Sequence, residues 1–184
     1  MTLNRCTLLA ALLGVALAAT AAPLKTDPAK SSVSAVFKQM NVPVESAFKK
    51  FSAAIDYDAA KPELAKASVE IDTASLDVGD PDMNKEVAKK EWFNAAQFPK
   101  ATFVSSSIKP AAAGKLTVSG KLTIKGKSMD VSFPLAVKTE AGKQVFEGAL
   151  PIKRLAYSIG EGDWKDTSMV ADEVVIKFRV TAGK

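Results

Sequence analysis

Between Met129 and Val137 the chain reads MDVSFPLAV, so Met129, Val131, Phe133, Leu135 and Val137 alternate with Asp130, Ser132, Pro134 and Ala136. Successive side chains of an extended strand point to opposite faces, so these five apolar groups share one face that has to be covered. The same period recurs in Val33, Ala35 and Phe37, in Phe51, Ala53, Ile55 and Tyr57, and in Val69 and Ile71. It returns over Thr102 to Ile108, Leu116 to Ile124 and Val145 to Ile152, and in Val174, Ile176, Phe178 and Val180. About eight strands are therefore expected, each with one buried face.

The joints carry turn chemistry. KPEL (61–64) and PAAAGK (110–115) supply Pro and Gly, while KGKS (125–128) and EAGK (140–143) are Gly-centred turns that join antiparallel neighbours as hairpins. Consecutive hairpins make an all-β, antiparallel up-and-down meander, and a meander of about eight strands removes its unpaired edges by closing into a barrel. One segment interrupts the pattern: DPDMNKEVAKKEWFNAAQFP (80–99) reads as a short helix capped by Asp82 and followed by a loop, ended by Pro99, with Trp92, Phe93 and Phe98 in need of an apolar site.

The first residues, MTLNRCTLLAALLGVALAATAAP, pair Arg5 with an apolar run from Leu8 to Ala18 and small residues at Ala19, Thr20 and Ala21. This is the pattern of a secretory signal peptide, too short to span a bilayer. The expected organisation is a leader over 1–21 and one barrel domain over 22–184, placed in the periplasm. Removing Arg5 from 25 basic residues leaves a charge of +4 against 20 acidic ones, with lysines scattered over turns and outer faces. An exported chain without a basic, aromatic-interleaved stripe is not expected to bind nucleic acid.

Two absences exclude whole classes of chemistry. Histidine does not occur, and the one cysteine, Cys6, falls inside the leader. Catalytic arrangements built on Ser-His-Asp or Cys-His, and sites that need imidazole or thiolate ligands, are thereby removed. Asp77, Asp80 and Asp82 lack the spacing of a calcium loop and read as a turn and a helix cap. Glu161 with Asp163, and Asp172 with Glu173, carry no sign of burial or coupling. The expectation is a protein that is not an enzyme and has no metal and no cofactor.

The interior then decides function. A barrel of this size is either filled by its own side chains or holds one small ligand. Small residues at expected inward positions, Ala35, Ala53 and Ala149, favour a hollow interior. Strand parity makes Phe37, Phe51, Ile55, Phe103, Phe133, Leu135, Ile176 and Phe178 the lining candidates. SIGEGDW (158–164) reads as a demanding loop whose Trp164 either packs on the rim or acts as a lid. A barrel with a packed core acting through its surface, and a small outer-membrane barrel with the apolar face turned outward, are the alternatives.

The stretches FKKFSAAIDYD (48–58), VEIDTASLDVGD (69–80), WFNAAQFPKATFVSSSI (92–108), GKLTIKG (120–126) and KRLAYSIGEGDWKDT (153–167), in that order and spacing, resemble the YceI-like family of exported polyisoprenoid-binding proteins. The resemblance implies a lipocalin-like barrel with an elongated apolar cavity and no catalytic residues. It implies a lipid or isoprenoid ligand, such as a polyprenyl phosphate, a ubiquinone-like lipid or a long-chain amphiphile. Trp92, Tyr157 and Trp164 join the candidate contacts, with a head group placed near Tyr157, Arg154 or Trp164. Where the family often carries a His-Ser pair at the first strand and another His soon after, this chain has Lys30, Ser31, Ser32, Gln39 and Met40, so no histidine contact is carried over. Transient membrane contact and pairing of two chains are left open.

Overall fold

The computed structural model describes residues 23–183, so the leader expected over 1–21, with Cys6, lies outside the described residues. Eleven strands and one α-helix follow in chain order: β1 (Lys25–Thr26), β2 (Ser32–Gln39), β3 (Val42–Phe48), β4 (Phe51–Asp56), β5 (Lys66–Asp72), β6 (Leu76–Asp77), α1 (Pro81–Val87), β7 (Lys100–Pro110), β8 (Lys115–Ile124), β9 (Lys127–Glu140), β10 (Lys143–Lys153) and β11 (Val170–Gly183). All strand pairs are antiparallel. The sheet runs β4-β5-β7-β8-β9-β10-β11-β2-β3-β6.

The two ends of that path meet, because β3 runs straight into β4 through Lys49 and Lys50. Ala47 pairs with Ser34 of β2 on one edge and with Asp77 of β6 on the other. The N-terminal segment fills the remaining gap: Lys25 and Thr26 pair with the end of β11, while the Leu24 amide donates to the Ile55 carbonyl of β4 at 2.8 Å. The result is a closed antiparallel barrel.

The strand count corrects the expectation of about eight. Three of the barrel's staves are each broken in two: β1 and β2 by a 3-10 turn at Pro28–Lys30, β3 and β4 by the bend at Lys49 and Lys50, and β5 and β6 by a 3-10 turn at Thr73–Ser75. Sequence periodicity also misses β3, since its inward face, Val42, Val44, Ser46 and Phe48, contains a serine and its outward face, Pro43, Glu45 and Ala47, has only one charge, so the contrast between faces is muted. Its hairpin with β2 turns on Met40 and Asn41, with φ of 47° and 65° and no glycine. The expected hairpins at Lys125–Gly126 and Ala141–Gly142 have the same paired positive φ, the type I′ signature that matches strand twist.

Two local assignments shift. The cap of α1 is Asp80 and not Asp82: Asp80 Oδ1 accepts from the amides of Asp82 and Met83, and Pro81, lacking an N–H, occupies the first helical position. Ala149 is exposed on the outer face, and Gly148 beside it points inward; Val145 and Phe146 are both buried, which hides the parity of β10.

The outer face settles which way the apolar side points. Lys121 pairs with Asp130, Lys138 with Glu147, Lys177 with Glu45, and Arg179 with Glu140 and Glu147. A lipid-facing barrel carries an apolar band there, so the outer-membrane alternative does not fit. The core is inside: Ile55, Val118, Leu122, Phe133, Leu135, Phe146, Leu150 and Val180 are all buried within one cluster.

Candidate functional site

The inward faces enclose two apolar chambers stacked along the barrel. The upper one, about 210 Å³, is walled by Ala35 and Phe37 of β2, Val44 and Phe48 of β3, and Val174 of β11. Its roof consists of Val87 of α1, Trp92 and Phe93 of the following loop, and Arg154, Ile159 and Trp164 of the β10–β11 connection. The lower one, about 110 Å³, is lined by Ile55, Tyr57, Phe103, Phe133, Leu135, Phe146 and Phe178 among others. Ile71, Leu122 and Ile176 belong to both and form a collar between them. Gln39 and Met83 are exposed and also line the upper chamber, so its mouth lies between α1 and the β2–β3 hairpin.

The roof is a loop structure, and loops cannot pair their own backbone groups as strands do. Arg154 does it for them. Its side chain is 2 % exposed, and its five N–H groups donate to five backbone carbonyls, those of Ala171, Ile159, Gly160, Trp164 and Val170, at 2.7 to 3.2 Å. Burial lowers its pKa from the usual value, and the Asp172 carboxylate opposes that. The guanidinium lies 5.7 Å above the Trp92 ring, which itself meets Trp164 at 5.2 Å. At Gly160, φ is +80° and a Cβ would overlap Arg154 Nη1, so only glycine fits.

A second cation ties the roof to the barrel. Lys125 Nζ, with its side chain only 7 % exposed, donates to the carbonyls of Lys90 and Ser158 at 2.7 Å each and to Glu161 Oε2 at 3.0 Å. The Lys125 hydrogen bond holds the Glu161 carboxyl below the usual carboxylate range. The amides of Gly160 and Glu161 both donate to the Glu91 carbonyl at 2.8 Å, joining this loop to the one after α1.

Nine of the eleven candidate contacts come together around the two chambers. Phe37, Trp92 and Trp164 line the upper one, Ile55, Phe103, Phe133, Leu135 and Phe178 the lower one, and Ile176 both. Two do not. Phe51, the first residue of β4 after the bend at Lys49 and Lys50, is half-buried and lines neither chamber, although it pairs with Ile71 of the collar. Tyr157, 2 % exposed, packs within the core outside both walls, and burial pushes its hydroxyl pKa up. The head-group role considered for Arg154 also changes, since every N–H of its guanidinium is committed to a backbone carbonyl of the roof loop or of the first two residues of β11. Val44 and Phe48 escaped the sequence reading together with β3, whereas Leu122 could have been found from the parity of Leu116 to Ile124.

The acidic clusters considered from sequence have local partners. Asp77 Oδ1 accepts from the Gly79 amide and Asn84 Nδ2, Asp80 caps α1, and Asp82 pairs with Lys85. Asp172 Oδ1 accepts from the Leu155 amide. Among the described residues, no three His, Cys, Asp or Glu side chains gather as metal ligands.

Comparison with known proteins agrees with this architecture. The crystal structure of BcnA from Burkholderia cenocepacia superposes with a TM-score of 0.84 at 56% identity, covering 86% of this chain and 99% of that one. A polyisoprenoid binding domain from Saccharophagus degradans, implicated in plant cell wall breakdown, shares the fold with a TM-score of 0.65 at 19% identity, over 88% of this chain and 97% of that one. A UPF0312 protein of Shewanella sp. (strain W3-18-1) is 36% identical over 141 residues, 73% of this chain and 72% of that protein. The family model for the YceI-like domain matches residues 24–182, almost everything from the first bridging residue of the barrel to its last strand, and the chain belongs to the YceI-like family.

Proposed function

We propose that the protein is an exported, non-enzymatic carrier for a long-chain apolar ligand, a polyisoprenoid, an isoprenoid quinone or a fatty-acid-like amphiphile, held along the barrel axis. The observation that carries this reading is the pair of apolar chambers that share Ile71, Leu122 and Ile176 as a common wall inside a closed barrel, with the upper one open beside α1. The fold shared with a polyisoprenoid binding domain supports it. Burying one methylene is worth about 0.8 kcal/mol, so a tail of some twenty carbons outweighs the roughly 4–15 kcal/mol cost of association. Recognition of this kind selects length and shape. The periplasm is the compartment proposed, because the leader pattern over 1–21 is that of an exported protein.

One observation favours the packed-core alternative: neither chamber alone reaches the roughly 300–1,000 Å³ usual for ligand pockets. The same experiment separates the two. Native mass spectrometry and solvent extraction of the purified protein are expected to release a lipid, and added isoprenoid alcohols are expected to raise its Tm. A protein that carries nothing and gains no stability from them acts through its surface.

A further inference from the structure

The lower chamber is dominated by three phenyl rings, with the Phe133 centroid 5.5 Å from those of both Phe103 and Phe178. Both outer rings are seated against glycine. Phe178 stands directly opposite Gly148 in the β10–β11 register, and a Cβ there would overlap three atoms of its ring. Phe103 leans over Gly120, where a Cβ would overlap its ring and the Val104 carbonyl. Each ring thus lies in a notch where the neighbouring strand has no side chain. Seated there, the rings line the chamber of about 110 Å³ below the collar.

We propose that Gly148 and Gly120 set the length of tail the barrel accepts, by recessing Phe178 and Phe103 so that a chain passing Ile71, Leu122 and Ile176 can continue into the lower chamber. This deepens the carrier reading and rests on it. The upper chamber is too small for a long tail, so affinity beyond a short chain depends on the lower one. A methyl group at Gly148 displaces the Phe178 ring towards Phe133 and shuts that space. Gly148 is the cleaner probe, because the atoms it would meet all belong to a side chain and its φ is one that alanine adopts.

The test is a titration of the full-length mature protein with isoprenoid alcohols of increasing length, read by Tm and by fluorescence of Trp92 and Trp164 in the upper chamber. In the wild type, affinity should rise about fourfold for each methylene buried until both chambers are filled. Gly148→Ala should bind the shortest alcohols as the wild type does, and its affinity should stop rising at a shorter chain. Phe178→Leu, a smaller side chain of the same kind, should extend the rise to longer chains, and it decides the matter alone if Gly148→Ala does not melt cooperatively. A length limit unmoved in both variants, or an equal loss at every length, overturns the proposal while leaving the carrier reading intact. A wild type that binds no member of the series overturns the carrier reading and this proposal together.

Discussion

The two ends of the barrel are held by different physics. Below the collar, alternating side chains from strands interlock: Tyr57 meets Phe146 edge-on at 5.3 Å, and Phe133 sits between Phe103 and Phe178. Above it, the walls are finished by loops, and two buried cations, Arg154 and Lys125, gather their carbonyls. Strands satisfy their backbone by pairing, whereas a buried loop has to borrow donors. The lower end therefore comes apart only with the barrel, while the roof can loosen by itself.

The contrast is broken most forcefully at Arg154. Arg154→Met keeps the apolar stem and strands five carbonyls, and it should cost on the order of 4 kcal/mol in urea unfolding. Hydrogen exchange should show the amides of Ile159 and Gly160 opening ahead of the β8–β9 ladder. A loss under about 1 kcal/mol would mean that the roof does not depend on this side chain. Phe133→Ala attacks the other end and should cost about 3 kcal/mol, with all strands losing protection together because the damage lies in the shared core.

Lys125→Met should cost less, about 2 kcal/mol, since its three acceptors lie nearer the surface; exchange should quicken at Gly160 and Glu161 while the lower chamber is unaffected. The smallest effect is acid sensitivity at the same joint. The Glu161 pKa is depressed in the folded protein, so its contribution is present above the ordinary carboxylate value of 4.5 and is lost as pH falls through the folded-state value. The protection factors of residues 158–161, taken against the intrinsic exchange rate at each pH, should therefore fall in that acid window, and Glu161→Gln should abolish that fall. A roof whose protection factors ignore pH in the wild type would assign the joint to the two carbonyl bonds of Lys125 alone.

Legibility followed the same division. Strands such as β8 and β9 announced themselves because their two faces differ in polarity at most steps, and the lining residues Phe103, Phe133 and Phe178 follow from parity. Where the faces differ little, as in Val42–Phe48, the pattern vanished and the strand was missed. Phe51 has the right parity, yet it lies next to a bend that parity does not register. The sequence places Arg154 beside a ligand head group, and nothing in RLAYSIGEGDW tells that three of its partners are the carbonyls of a loop folded back over it.

Local pattern alone determined that this chain forms an antiparallel barrel, where its glycine turns fall, and that histidine and thiol chemistry are absent from the barrel domain, because hydrophobic periodicity, turn dihedrals and composition are properties of neighbouring residues. Tertiary structure decided the rest: three staves break so that the ring can close, a collar divides the interior, Gly148 stands opposite Phe178, and Gly120 of the adjoining strand lies under the Phe103 ring. Those facts depend on register between strands far apart in sequence. Whether a ring fills a cavity or withdraws from it is set by the residue across the ladder, not by the one beside it in the chain.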